Sequence, residues 1–258
     1  MKLNRILSSV ALSALLVTPA AAQRQFDITT KPGAPVQSTM YGIFFEDINF
    51  GADGGLYAEM VENRSFEFPN RLMGWNTWGN VSVSSIKPAF DRNPNYVVLE
   101  PSGHREKSTG LENRGFFGMG LKKGMKYNFS VYGRLHLLNG KQAKIRVELV
   151  DENNNPMERK SITITNNQWK KYSVELTSKQ TLQKGYMRIF LEGNESVDLD
   201  HVSMFPADNW NGLRADLVKD LEDLHPGIFR FPGGCIVEGT DLQTRYQWKN
   251  SVGAPENL

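Results

Sequence analysis

Tyr41-Gly-Ile-Phe-Phe-Glu-Asp-Ile48 and Ile228-Phe-Arg-Phe-Pro-Gly-Gly-Cys235 decide how this chain is read. Each stretch runs from apolar residues into polar ones, as a buried strand does when it delivers charged groups to a rim. Roughly 180 residues separate the two, yet parallel barrels place their chemistry at such a rim, where strand ends from distant parts of the chain meet. The converging groups here are Glu46, Asp47, Arg230 and Cys235.

The residues just before the second stretch support this. Leu213, Leu217, Leu221 and Leu224 recur at helical spacing, with Arg214, Asp216, Lys219, Asp220, Glu222 and Asp223 on the other side. His225-Pro226-Gly227 stops that helix, and Ile228 begins a strand. A helix, a stop, a buried strand and a Gly-rich rim make one α/β barrel unit. After the first stretch comes a Gly-rich turn, Gly51 to Gly55, and then Leu56, Met60 and Val61 at a spacing that predicts the opening of a short helix.

Between these pieces the texture is different. Tyr96–Leu99, Lys126–Tyr132, Lys144–Val150, Ser161–Thr165, Lys171–Leu176 and Met187–Leu191 are strand candidates. Gly118 to Gly124, Asn139-Gly140, Asp151 to Pro156 and Asn166-Asn167 supply the breaks. Ile145, Val147 and Leu149 alternate with Arg146 and Glu148, as in a sheet with one wet face. Antiparallel strands with no helix among them predict a jelly-roll β-sandwich. The fold expected is therefore α/β plus all-β, a partial (β/α)8 TIM barrel represented by its first strands with a β-sandwich inserted. The expected divisions are a signal peptide over 1–22, the start of the barrel over 23–69, the sandwich over 70–206 and the barrel's continuation over 207–258. The barrel pieces fall well short of the ~250 residues a closed barrel needs. The chain therefore reads as the N-terminal part of a longer protein.

Lys2 and Arg5 precede an apolar run, Ile6 to Val17, that ends at Pro19-Ala20-Ala21-Ala22, the pattern of a secretory signal peptide. That run is too short to span a bilayer, so a secreted or periplasmic protein without a membrane anchor is expected. With 30 basic and 28 acidic residues the net charge is +2, which suggests no nucleic-acid partner. The single cysteine, Cys235, forbids an intramolecular disulfide, so packed cores must supply stability. His104, His136, His201 and His225 lie too far apart for a metal site, and no cofactor is implied.

Three segments together resemble α-L-arabinofuranosidases of glycoside hydrolase family 51, in their secreted form with a carbohydrate-binding-module-like insert. They are Tyr41 to Asn49, Gly54 to Phe68, and Phe229 to Gly239 with Arg245-Tyr-Gln-Trp-Lys249. The resemblance implies retaining, exo-acting removal of terminal α-L-arabinofuranosyl groups from arabinose-containing polysaccharides or oligosaccharides. Such chemistry uses two carboxylates ~5–5.5 Å apart. In the family both sit on later barrel strands, so no catalytic residue is expected before Leu258. Carried over by motif, Glu46 would accept hydrogen bonds from sugar hydroxyls. Arg230 would orient the nucleophile through a bidentate fork, and Cys235 would line the pocket.

Plainer readings stand beside these. Glu46 could cap a strand or pair with Arg64 at the surface, Arg230 could be a structural charge, and Cys235 could be an inert buried thiol. Trp75, Trp78, Trp169, Tyr172 and Tyr186 could stack on sugars, although strand aromatics are commonly core; Trp75 and Trp78 read as part of a lead-in loop. Asp198 and Asp200 could help hold a structural Ca²⁺, but they read first as a solvated strand face. Glu59, Glu62 and Glu67 read as surface charges on a helix. A non-catalytic carbohydrate-binding protein built on the sandwich is the alternative function, and a retaining glycosidase of another specificity, such as a xylosidase, is a third.

Overall fold

A computed structural model describes residue 28 and residues 30–102, 108–137 and 141–257. The expected signal peptide, His104 and the Asn139-Gly140 turn lie outside the described residues.

The strands in chain order are β1 (Ile43–Phe44), β2 (Trp75–Trp78), β3 (Asn80–Ser84), β4 (Tyr96–Glu100), β5 (Gly110–Asn113), β6 (Met119–Leu121), β7 (Lys126–Leu135), β8 (Ala143–Val150), β9 (Pro156–Ile164), β10 (Lys170–Thr177), β11 (Leu182–Glu192), β12 (Val197–Pro206) and β13 (Phe229–Arg230). Two helices, α1 (Ala215–Asp223) and α2 (Cys235–Glu238), flank β13. Two antiparallel sheets, ordered β10-β7-β12-β4-β3 and β2-β5-β11-β8-β9 with β6 on β11, pack face to face. The expected β-sandwich is present, and all six strand candidates lie in it.

The core follows from strand alternation. In β7, Tyr127, Phe129, Val131, Gly133 and Leu135 are buried while Asn128, Ser130, Tyr132 and Arg134 between them reach outward, and in β8, Ile145, Val147 and Leu149 are wholly buried. Burying a side chain of this size contributes about 1.5–3 kcal/mol, so these inward rows hold the sheets together. The outward row of β8 is less wet than its composition suggests. Glu148 is buried because Arg146 and Arg159 each donate to it at 2.9 Å.

Several expectations are corrected. Residues 56–66 form no helix; they run as turns, with Asn63 and Phe66 at positive φ (53° and 58°), a backbone state that an α-helix excludes. Val61 and Phe66 instead enter the sandwich core. Trp75 and Trp78 lie in β2, not in a loop. Trp75 is buried against Phe66 and donates from Nε1 to the Asn63 carbonyl (3.0 Å). The Gly118 to Gly124 break contains β6.

The chain enters and leaves the sandwich at one place. The Ala58 amide donates to the Gly212 carbonyl (2.8 Å) and the Arg214 amide to the Leu56 carbonyl (2.9 Å), with Tyr57 bridged to Leu213. Beside this junction, β1 and β13 pair in parallel, Ile43 opposite Phe229 and Phe44 opposite Arg230. The predicted α1 is present, and its leucines are at most half-buried.

Candidate functional site

The amides of Ile43 and Phe45 donate to the carbonyls of Ile228 and Arg230, both at 2.9 Å, and this fixes the register of the two short strands. Opposite residues in a parallel pair share a face, and faces alternate along each strand. Phe44, Arg230 and, two residues on, Glu46 therefore share one side. The rings of Phe45 and Phe231 stack on the other, with centroids 5.9 Å apart.

Past the strands, the two chains are tied by a side chain. Glu46 Oε1 accepts from the Gly234 amide (3.1 Å), and Arg230 Nη2 donates to the Gly233 carbonyl (3.4 Å). The Arg230 guanidinium also lies 5.1 Å from the Phe44 ring centre, within cation–π range. Gly233 has φ 132°, and a β-carbon there would come within 2.6 Å of Glu46 Cγ. Glycine is thus required both for the backbone angle and for the close passage under Glu46. Cys235 follows at the start of α2, exposed and free, not buried as a lone cysteine usually is. Asp47 turns away and accepts from the Ala52 amide (2.9 Å), closing the Gly-rich turn. Glu46, Arg230 and Cys235 are thus gathered around one glycine-lined rim.

Of the carboxylates first read as surface charges, Glu59 is buried and Glu62 and Glu67 are partly buried. Glu59 takes the Val61 amide (3.0 Å), the Met204 amide (2.9 Å), the Ser203 hydroxyl (2.6 Å) and Arg64 Nη1 (3.4 Å). Burial pushes its carboxyl up, and these donors draw it back. Arg64 pairs with Glu59, the partner it has in place of the suggested Glu46. Glu67 is half-buried and accepts from the Asn95 amide (2.7 Å).

Asp198 and Asp200 are likewise fully buried and do not form a solvated face. Asp198 spends its oxygens on Arg134 Nε (2.7 Å) and His136 Nδ1 (2.6 Å), so the two acids do not form a shared calcium site. Asp200 Oδ1 accepts from the His201 amide (2.7 Å), while Asp200 Oδ2 and His201 Nε2 have no partner. Burial, reinforced by the charge of Glu67, pushes the Asp200 carboxyl up to about 8; burial, with Arg64, pulls the His201 imidazole down to about 4. No local pattern announces this pair: a register shift in β12 between Asp200 and Ser203 turns it inward.

The outer face of the six-stranded sheet carries aromatic and charged groups. Trp78 packs against Phe190 (5.2 Å between centroids), and the Arg146 guanidinium lies 4.7 Å from the Phe190 ring. Glu112 accepts from Arg114 Nε (2.8 Å), Arg188 Nε (2.9 Å) and Asn76 Nδ2 (3.2 Å). Burial alone would raise the Glu112 carboxyl; these donors bring it below its usual range. Tyr186 is buried beneath Arg114 and Arg188. Trp169 is half-buried against Tyr96 and Arg134. Tyr172 packs partly buried against the core. Of the five aromatics proposed for stacking, Trp78 and Trp169 keep exposed surface together with a polar surround. Among the described residues no helix is long and apolar enough to cross a membrane.

A carbohydrate binding domain family matches residues 58–197, and an α-L-arabinofuranosidase domain matches residues 220–257. An extracellular exo-α-L-arabinofuranosidase of Streptomyces chartreusis is 35% identical over 96% of this chain and 32% of its own length. α-L-Arabinofuranosidase 1 of Arabidopsis thaliana is 32% identical over 90% of this chain and 37% of its own. The solved arabinose-bound MgGH51 α-L-arabinofuranosidase superposes with a TM-score of 0.77 at 28% identity, covering 88% of this chain and 39% of that one. The chain spans about a third of the length of these curated relatives. The resemblance read from the three motifs is thus borne out. By its sandwich, which fills more than half its length, the chain belongs to the carbohydrate binding domain family, within a sequence similar throughout to α-L-arabinofuranosidases.

Proposed function

We propose that this polypeptide forms the first part of a retaining, exo-acting α-L-arabinofuranosidase. In this reading β1 and β13 are neighbouring strands of a (β/α)8 barrel, interrupted by the sandwich over about 70–206. Glu46 accepts from hydroxyls of the terminal arabinofuranosyl group, Arg230 orients the nucleophile, and Cys235 forms part of the pocket wall. The acid/base and nucleophile carboxylates lie further along the polypeptide, and the protein is exported to act on arabinose-bearing polysaccharide.

One observation carries the reading: strands far apart in sequence pair in parallel and set Glu46 and Arg230 on one face above glycines 233 and 234. Parallel sheets are ordinarily covered on both faces, and two strands alone are marginal in water. Phe44, Ile228, Phe229 and Phe231 are each more than half exposed, which suits strands that have further barrel neighbours. The test is to read the coding DNA past Leu258 and assay the full product on an aryl α-L-arabinofuranoside. Continuation into an apolar strand ending in an Asn-Glu pair, with turnover, is expected. A stop codon with no turnover would leave the sandwich's carbohydrate binding as the function.

A further inference from the structure

We propose that the protein holds a second carbohydrate site, for a short neutral oligosaccharide, in a cavity at the edge of the sandwich. The inference rests on the carbohydrate-binding reading and adds a location apart from both the Glu46 rim and the Trp78 face. The cavity, of about 560 Å³, lies between the β5–β6 turn, the 54–60 segment and the junction of β12 with α1. None of Glu46, Arg230, Cys235 and Trp78 lines it. Its size falls within the roughly 300–1,000 Å³ of small-molecule pockets.

The lining has the two components that sugars require. The first is a flat apolar surface. Phe116 and Phe117 form part of the wall and are braced by Phe50, whose ring centre lies 5.1 Å and 6.2 Å from theirs. Phe117 is 73% exposed, so its ring is accessible to a ligand. The C–H face of a sugar ring stacks on such a surface.

The second component is uncommitted polar groups. The side chains of Lys122, Gln183 and Asp208 border the cavity, and none of them makes a hydrogen bond or ion pair with another described residue. Tyr127 Oη accepts from the Lys122 amide (2.8 Å), which leaves its own proton free to donate. A carboxylate accepts from adjacent hydroxyls, an ammonium donates to them, and an amide does both. Of the other charged lining groups, Arg214 is paired with Asp216 (2.6 Å) and Glu59 with Arg64 (3.4 Å), so Lys122 and Asp208 together leave no excess charge and suit a neutral polyol better than a uronate.

The turn that carries both phenylalanines is fixed by its backbone. Gly118, with φ 98°, turns the chain between Phe117 and Met119, and its β-carbon would crowd Lys184 Cα at 3.0 Å. Met119 is buried in the sandwich core, so the turn that carries both phenylalanines is anchored.

The test is an NMR titration of the 258-residue chain with arabinotriose and xylotriose, following the amides of Gly118, Gly120 and Lys122 and, separately, the Trp78 indole. Saturable shifts at the three amides are expected, with Kd on the order of millimolar. Phe117→Ala and Asp208→Ala, both at exposed positions, should each weaken that response at least tenfold while leaving the indole response unchanged. A response confined to the indole would overturn the cavity site while keeping the carbohydrate-binding reading. Amide shifts indifferent to both substitutions would also overturn it, and silence at both places would overturn the two together.

Discussion

Substituting Asp200 by Asn tests the most unusual electrostatic feature of the sandwich. Burial raises the folded-state carboxyl from 3.8 to about 8, so between these values the folded protein holds a proton that the unfolded chain has released. Stability from this group is complete below about pH 4 and is lost as pH rises through about 8. His201 acts in the opposite sense: lowered from 6.5 to about 4, it costs stability as pH falls through that interval. Below pH 6.5 the two slopes nearly cancel, and above it the His201 contribution fades until Asp200 dominates. At about 1.36 kcal/mol per pH unit per proton, the net loss between pH 6.5 and 8 is on the order of 1 kcal/mol, allowing for the taper as Asp200 ionises and for the unfolded-state His201 proton still leaving. Asn keeps the shape, and its oxygen can still accept from the His201 amide, but it cannot titrate. Urea denaturation at pH 5, 6.5 and 8 should give a flat-then-falling profile for the parent and no alkaline fall for Asp200→Asn. Parallel profiles for the two proteins would refute the claim that the buried carboxyl is protonated.

Three further outcomes are expected. Glu59→Ala leaves Arg64 without its buried partner and strips acceptors from two amides and a hydroxyl; by urea denaturation it should cost about 3–5 kcal/mol, and a loss below about 1 kcal/mol would show the site to be adaptable. Gly233→Ala forces a side chain onto Glu46 at a backbone angle suited to glycine; the strain, about 1–3 kcal/mol, should abolish hydrogen-exchange protection of the Gly234 amide, and retained protection would contradict the packing described. In the full-length protein, Glu46→Gln should lower kcat/KM on an aryl arabinofuranoside by one to two decades, about 1.5–3 kcal/mol, with melting temperature nearly constant; intact kinetics with a large fall in melting temperature would make Glu46 structural.

Legibility in the sequence followed the range of the forces involved. Strands β7 and β8 were readable because strict alternation, Tyr127-Phe129-Val131 and Ile145-Val147-Leu149, is a local consequence of one buried face. Strands β2, β5 and β6, with three or four residues each, are too short to show any period. The charges of β12 resembled a wet face because what covers them comes from elsewhere in the chain. Arg134 is held by the Ile86 and Lys87 carbonyls, and Phe90 packs against His201. Glu59 and Glu62 imitated a helix by spacing, whereas the left-handed residues Asn63 and Phe66 leave no mark in a hydrophobic pattern. The rim was readable because a Gly pair after an apolar run has a direct steric meaning, seen in the passage of Gly233 under Glu46.

The zipped junction at 56–58 and 212–214 has a consequence for how the chain finds its fold. Joining β1 to β13 directly would close a loop of roughly 185 residues, whereas a sandwich that is already folded delivers both its ends to one point. The free chain left to close is then roughly 30 residues. With a cost that grows as (3/2)RT ln n, this removes about 1.6 kcal/mol of closure entropy. The insert thus acts as a splint that brings the two strand ends together. A sandwich slow to fold would delay assembly of the rim, even though it contributes no atom to it.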